Sequence, residues 1–189
     1  MRILLLPAVL ALGLMQPVAL RHANAKSQEV PQLGSDATSD ELIDALTPKA
    51  GAPALKYRGL HLLTSDPATD KDEQPMPAVG LDIKFELNSA RLTGTAEQTL
   101  RQLATALKSE QLGTYHFLVE GHTDSSGTKD YNMALSKRRA EAVRDDLVRR
   151  YGVERGRLEV AGLGPTRPLD PNDPANPANR RVQVVNIGQ

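Results

Sequence analysis

The run Tyr115-His116-Phe117-Leu118-Val119-Glu120-Gly121-His122-Thr123-Asp124-Ser125-Ser126-Gly127 passes from a strand pattern into a loop bounded by two glycines. Tyr115, Phe117 and Val119 recur at every second position, the period of a strand, and the pattern ends at Gly121. The glycines allow tight turns and leave backbone amides open to a ligand. Beyond the loop the spacing changes to steps of four. Leu135, Val143 and Leu147 lie on one stripe, predicting a helix over 132–151 that Gly152 stops in a left-handed conformation. A loop between the carboxyl end of a strand and the start of a helix is where α/β sheets usually hold ligands.

Working outward, Leu81, Ile83, Phe85 and Leu87 alternate with Asp82, Lys84 and Glu86, predicting a first strand with one buried face. Residues 95–111 read as a helix: Thr95 and Gln98 have capping-box spacing, and Ala96, Leu100, Leu103, Ala104 and Leu107 form one stripe. Strands are predicted over 158–161 and 181–187, separated by a loop rich in Pro, Asn and Asp. The order β-α-β-α-β-β predicts a two-layer α/β (α+β) sandwich over residues 80–189, with a mixed sheet and two helices on one face.

The segment before it has a different character. Residues 1–25 form a secretory signal pattern: a charged start at Arg2, an apolar run from Ile3 to Met15, and Ala23-Asn24-Ala25 as a cleavage site. Pro7, Gln16 and Pro17 keep that run short of the roughly 20 apolar residues of a membrane span. Cleavage before Lys26 is therefore expected, and no transmembrane span in the mature chain. Residues 26–79, rich in Pro, Ser, Asp, Thr, Gly and Ala, read as a flexible linker with one short helix over 39–46. That helix has Thr38 and Glu41 at capping-box spacing and Leu42, Ile43 and Leu46 on one side. The stretch Tyr57-Arg58-Gly59-Leu60-His61-Leu62-Leu63 reads equally as a strand or a docking segment.

Composition narrows the chemistry. A chain of 189 residues with 23 basic and 23 acidic side chains gives no electrostatic reason to expect nucleic acid as a partner. With no Cys there is no disulfide framework, thiol nucleophile, Cys-ligated zinc or lipid-attachment cysteine. No cofactor is expected.

Arg139 is the anomaly in the helical stripe. A guanidinium on the inward edge of a helix is costly unless it meets a carboxylate or a ligand anion. Near the start of its helix, Arg139 can point back toward the loop that holds Asp124. Two readings fit this spacing. The pair can form an internal salt bridge, or it can act as a two-ended clamp for a zwitterion, the carboxylate taking an ammonium and the guanidinium a carboxylate.

Residues 80–189 resemble the OmpA-like, peptidoglycan-associated domain of envelope proteins. The likeness rests on Phe85-x-x-Asn88-Ser89-Ala90-x-Leu92, Glu120-Gly121-His122-Thr123-Asp124-Ser125-x-Gly127, and Tyr131-Asn132-x-x-Leu135-Ser136-x-x-Arg139-Ala140-x-x-Val143. It continues in Gly162-x-Gly164 and Asn179-Arg180-Arg181-Val182. The resemblance implies a non-catalytic domain that binds the peptidoglycan stem peptide through the free amino and carboxyl groups of meso-diaminopimelate. It places the ammonium on Asp124 and the carboxylate on Arg139, with Asn88 at the end of the first strand bonding the peptide backbone. It further implies that Asn132 assists, that Leu135 supplies an apolar wall, and that His122 and Thr123 shape the loop. One of Arg180 and Arg181 would brace loop to helix and the other be exposed. Leu87 departs from the small polar residue or Asp common in the family, making that edge less polar.

A periplasmic protein attached to the cell wall or outer membrane is the expectation. The alternative is a scaffold or adaptor of an envelope or secretion assembly, using the 26–79 segment to dock a protein partner. A metal enzyme built on His116, Glu120, His122 and Asp124 is disfavoured, since the domain has no further His to complete a site.

Overall fold

The computed structural model describes residues 30–49, 76–86 and 88–189. The expected signal segment, the stretch 57–63 and Leu87 lie outside them. Along the chain the elements are β1 (Gln32–Leu33), α1 (Ser39–Leu46), β2 (Ala78–Leu81), α2 (Ala96–Leu107), β3 (His116–His122), α3 (Lys129–Tyr151), β4 (Leu158–Gly164) and β5 (Val182–Gly188). The five strands form one mixed sheet in the order β1-β2-β5-β3-β4. β1 runs parallel to β2 and β3 parallel to β4, while β5 is antiparallel to both β2 and β3. The two-layer α/β architecture expected of the sequence is the one observed, with the helices packed on one sheet face.

The core follows from the stripes. Leu100, Leu103 and Leu107 of α2 and Val143 and Leu147 of α3 pack on Val79, Leu81, Phe117, Val119, Val182 and Val184 of the sheet, all essentially sealed from water. A smaller cluster of Ala78, Leu118, Ala161, Val185 and Ile187 lies apart from it. Gly121 and Gly162 set the spacing between α3 and the sheet. A Cβ at Gly121 would collide with the Ser136 carbonyl oxygen, and one at Gly162 would lie 2.5 Å from the Lys137 backbone nitrogen.

Several expectations change in the structure. The first strand of the sandwich is Ala78–Leu81, not the alternating run 81–87, because pairing with β5 ends at the Leu81–Val182 position. Beyond it the Ile83 amide turns back to the Leu81 carbonyl at 3.0 Å, Ile83 is buried, and Phe85 bridges to Leu92 in an antiparallel pairing of its own. Alternation there records burial without sheet membership. The capping box at Thr95 and Gln98 is not made. Thr95 already has helical backbone angles, and its hydroxyl lies 2.9 Å from that of Thr93. α3 begins three residues before the expected start, capped by the Thr128 hydroxyl.

The largest difference concerns residues 30–49, expected to be linker. Gln32–Leu33 adds a strand to the sheet, and α1, with its capping box at Thr38 and Glu41 formed, becomes a third helix of the layer. Leu42 and Leu46 are 0% exposed. The Asn186 side chain, buried in β5, donates to the Leu46 carbonyl at 2.9 Å and satisfies an end carbonyl of α1. Sequence pattern alone misses this, because a two-turn helix cannot reveal whether its apolar side meets its own domain or a partner. That side is consumed here, so α1 offers no free apolar face for docking.

Leu46→Ala should therefore lower unfolding free energy by about 2–5 kcal/mol, the cost of truncating a buried leucine. Urea denaturation checks it, and a domain integral only from residue 80 would show almost no change.

Candidate functional site

The topology gathers the loops at one end of the sheet. The carboxyl ends of β1, β2, β3 and β4 and the amino end of β5 share that end, as the pairings Leu33–Leu81, Leu81–Val182, Gly121–Val182 and His122–Gly164 require. Between these loops and the first half of α3 lies a groove of about 940 Å³. Asp82 to Glu86 and Asn88 form one side, Thr123, Asp124 and Ser126 the floor, and Asn132, Leu135 and Arg139 the helix wall. Tyr131 and Leu169, the two large apolar residues most exposed among the described ones, also line it.

Asp124 is buried at the base of the loop. Its Oδ1 accepts from the Ser126 amide at 3.0 Å, and its Oδ2 accepts from Arg180 Nη1 at 2.7 Å. Burial pushes its carboxyl up, but the Arg180 guanidinium and the Ser126 hydrogen bonds more than offset this and hold it below its usual value. The internal salt bridge between Asp124 and Arg139 is not the arrangement adopted. Arg139 is half-buried, donates from Nε to the Ser89 carbonyl at 3.1 Å, and lies 5.0 Å over the Phe85 ring. These contacts resolve why an Arg occupies the apolar stripe: its stem follows Leu135 inward while its head crosses to the 85–92 ladder. Burial, and next the charge of Arg180, lower its pKa, while Tyr131 and Asp124 act the other way.

The other expected site residues fall around this pair. The Asn132 side chain donates to the Ser126 carbonyl at 2.8 Å and the Asp124 carbonyl at 3.4 Å, so it braces the loop from inside α3. Thr123 and His122 are buried beneath it, and Leu135 faces the groove. Asn88 does not end a strand. It sits exposed in the turn of the 85–92 ladder with φ 50°, a left-handed conformation that Asn tolerates better than most residues. Among the described residues no group of three or more His, Cys, Asp or Glu is placed to hold a metal ion.

Arg180 is the residue that sequence reasoning did not bring to the site. Its signal is indirect. Asn179, fully buried, accepts the Leu169 and Asp170 amides and donates to the Asp173 and Pro174 carbonyls. Such a knot fixes where the next side chain emerges, and Arg180 emerges at Asp124.

Residues 84–181 match the OmpA family. The chain belongs to that family. It is 45% identical over 91 residues to outer membrane porin F of Pseudomonas aeruginosa, covering 48% of this chain and 25% of the porin. Its identity to the peptidoglycan-associated lipoprotein of Brucella melitensis is 38% over 111 residues, covering 57% of this chain and 64% of the lipoprotein. The chain thus spans less than two thirds of each of these relatives. Among solved structures, the OmpA-like domain of FopA1 from Francisella tularensis has TM-score 0.50 at 21% identity, covering 74% of this chain and 91% of that one. The periplasmic domain of Helicobacter pylori MotB has TM-score 0.52 at 23% identity, covering 62% and 87%. Both share the fold of this OmpA-family domain.

The buried imidazole behind the loop makes acid sensitivity testable. His122 is 2% exposed, and burial lowers its pKa, with Glu120 opposing and Arg181 and Arg167 reinforcing. The unfolded imidazole therefore takes a proton first, and stability is lost as pH falls below its ordinary value of about 6.5. Melting temperature should drop between pH 7 and pH 5, and His122→Asn should flatten that drop. An unchanged slope in the variant would place the loss elsewhere.

Proposed function

We propose that this OmpA-family chain binds cell-wall peptidoglycan without catalysing a reaction, gripping the meso-diaminopimelate of the stem peptide and so anchoring itself in the cell envelope. The observation that carries this reading is that Asp124 and Arg139 line one groove with opposite charges yet do not pair with each other. A zwitterion with separated charges fits such a site, and a simple anion or cation fits only half of it.

In this reading the ligand ammonium takes Asp124, displacing Arg180, whose side chain is about half exposed and free to move outward. The ligand carboxylate takes the Arg139 guanidinium through parallel hydrogen bonds. Leu135, Tyr131 and Leu169 contact the methylenes between the two charges. Asn88, at the exposed turn, meets the peptide backbone, while Asn132 and Thr123 act by holding the loop. The names of the relatives, a porin of the outer membrane and a peptidoglycan-associated lipoprotein, support the same setting at the cell wall or outer membrane on the periplasmic side. Affinity is expected to be modest, since one small zwitterion offers few atoms and the wall presents many copies.

Co-sedimentation with purified sacculi tests the clamp. The chain should pellet with diaminopimelate-type peptidoglycan and not with lysine-type, and Asp124→Ala should abolish pelleting while the thermal melt persists. Equal pelleting with both walls would contradict recognition of the zwitterion. Arg139→Lys should weaken binding by about tenfold or more, because an ammonium cannot make the two-point contact. Full retention by that variant would point to charge attraction alone.

A further inference from the structure

A second cleft, of about 1070 Å³, adjoins the groove. It is lined by Glu120, His122, Arg167, Arg181, Gln183 and the β1 segment at Gln32, and shares His122, Arg181, Leu169 and Gln32 with the groove. Its side chains alternate out of the helix layer: Glu120 and His122 flank Gly121, and Arg181 precedes Val182, both of which face α3 or the main core.

The polar groups there are buried and underused. Arg181 is 9% exposed, and its Nε and Nη1 have no hydrogen-bond partner among the described residues. Only Nη2 is engaged, weakly, with the Arg167 carbonyl at 3.3 Å and Gln183 Oε1 at 3.4 Å. Both ring nitrogens of His122 are likewise without a hydrogen bond. Glu120, the acid that lines the cleft, lies 3.7 Å from His122 and 3.9 Å from Arg167, too far for a hydrogen bond to either. One carboxylate thus stands against two guanidiniums, in a setting where a buried unpaired charge costs several kcal/mol, roughly. The deficit is one negative charge carrying hydrogen-bond acceptors.

We infer that this cleft is a carboxylate subsite: Arg181, with Arg167 at its mouth, takes a second carboxylate of the acidic peptide whose zwitterion occupies the groove. The inference rests on the proposed function for the partner and on Arg181 for the chemistry. A monoanionic carboxylate suits the cluster better than a dianionic phosphate, because Glu120 already supplies part of the countercharge. Arg167, exposed at the rim, can swing aside to admit the group. A planar carboxylate can then accept from the guanidinium nitrogens of Arg181 that now have no partner.

Calorimetric titration of the full chain with three ligands tests this. They are free meso-diaminopimelate, a stem tripeptide ending in it whose glutamate has a free α-carboxylate, and the same tripeptide with that carboxylate amidated. The acid tripeptide should bind about tenfold tighter than the amidated one, the order of one charge-assisted hydrogen bond. Arg167→Gln, at an exposed position outside the groove, should erase that preference while leaving affinity for free diaminopimelate unchanged, and Arg181→Gln should erase the preference too. Should Arg181→Gln fail to fold, Arg167→Gln carries the comparison. Equal affinity of the wild-type chain for the two tripeptides, with free diaminopimelate bound, overturns the subsite alone. Binding of none of the three overturns the reading of the groove and the subsite with it.

Discussion

The distance between α3 and the sheet governs the rest of the molecule. At Gly121 and Gly162 the helix backbone lies where a Cβ would otherwise stand, so Ser136 and Lys137 pack directly on β3 and β4. Ser136 uses that proximity: its hydroxyl donates to the Met133 carbonyl and accepts from the Gly164 amide, each at 2.9 Å. Gly164 in turn holds φ 52° and passes its carbonyl to the Thr123 amide at 3.0 Å. A single tight contact therefore fixes the helix, the end of β4 and the start of the loop carrying Asp124. A larger residue at either glycine would lift α3 from the sheet and spread the two walls of the groove before any ligand contact was touched.

The same packing explains why the site residues come from distant parts of the chain yet act together. Asn132, one turn into α3, holds the loop through the Ser126 carbonyl, and Arg139, two turns further, reaches the 85–92 ladder through the Ser89 carbonyl. α3 thus ties the loop carrying Asp124 and the 85–92 ladder to opposite ends of its first half. For the proposed ligand, the spacing of its two charges would be set by α3 and not by loop flexibility. Residues 30–49 complete the frame from the other side. With Leu46 locked to Asn186 and Gln32–Leu33 added to the sheet edge, Gln32, Leu33 and Gly34 become one more wall of the groove.

What the sequence reveals and what it hides follow from the range of each interaction. Elements with one wet and one buried face announce themselves: the α2 stripe, the left-handed stop at Gly152 and the loop after β3 are all legible, because each depends on neighbours a few positions away. The alternating run through Ile83 and Phe85 misleads, since burial imposes alternation whether or not a strand pairs with the sheet. α1 itself is legible from its capping box and apolar side, but its docking place is not, because its partner Asn186 is 140 positions away. In the site, Asp124 and Arg139 are legible as an opposite-charge couple, but whether they pair with each other is not, nor is Arg180 as the partner of Asp124, because it reaches Asp124 from 56 positions away through a loop shaped by buried Asn179.

That pairing changes the energetics of recognition. An isolated carboxylate at the base of the groove would attract any small cation, so selectivity would be poor. With Arg180 on Asp124 at 2.7 Å, an incoming ammonium has to replace a charge-assisted hydrogen bond already in place, and a lone cation gains little from the exchange. A zwitterion gains more. On the proposed reading its carboxylate would meet Arg139, whose pKa is lowered by burial and next by Arg180, and would offset both. The displaced Arg180, exposed on its outer side, regains water at little cost. If the groove takes a zwitterion as proposed, discrimination would arise from the requirement that both ends of the ligand be satisfied at once, with Arg180 setting the threshold that a one-ended ligand does not pass.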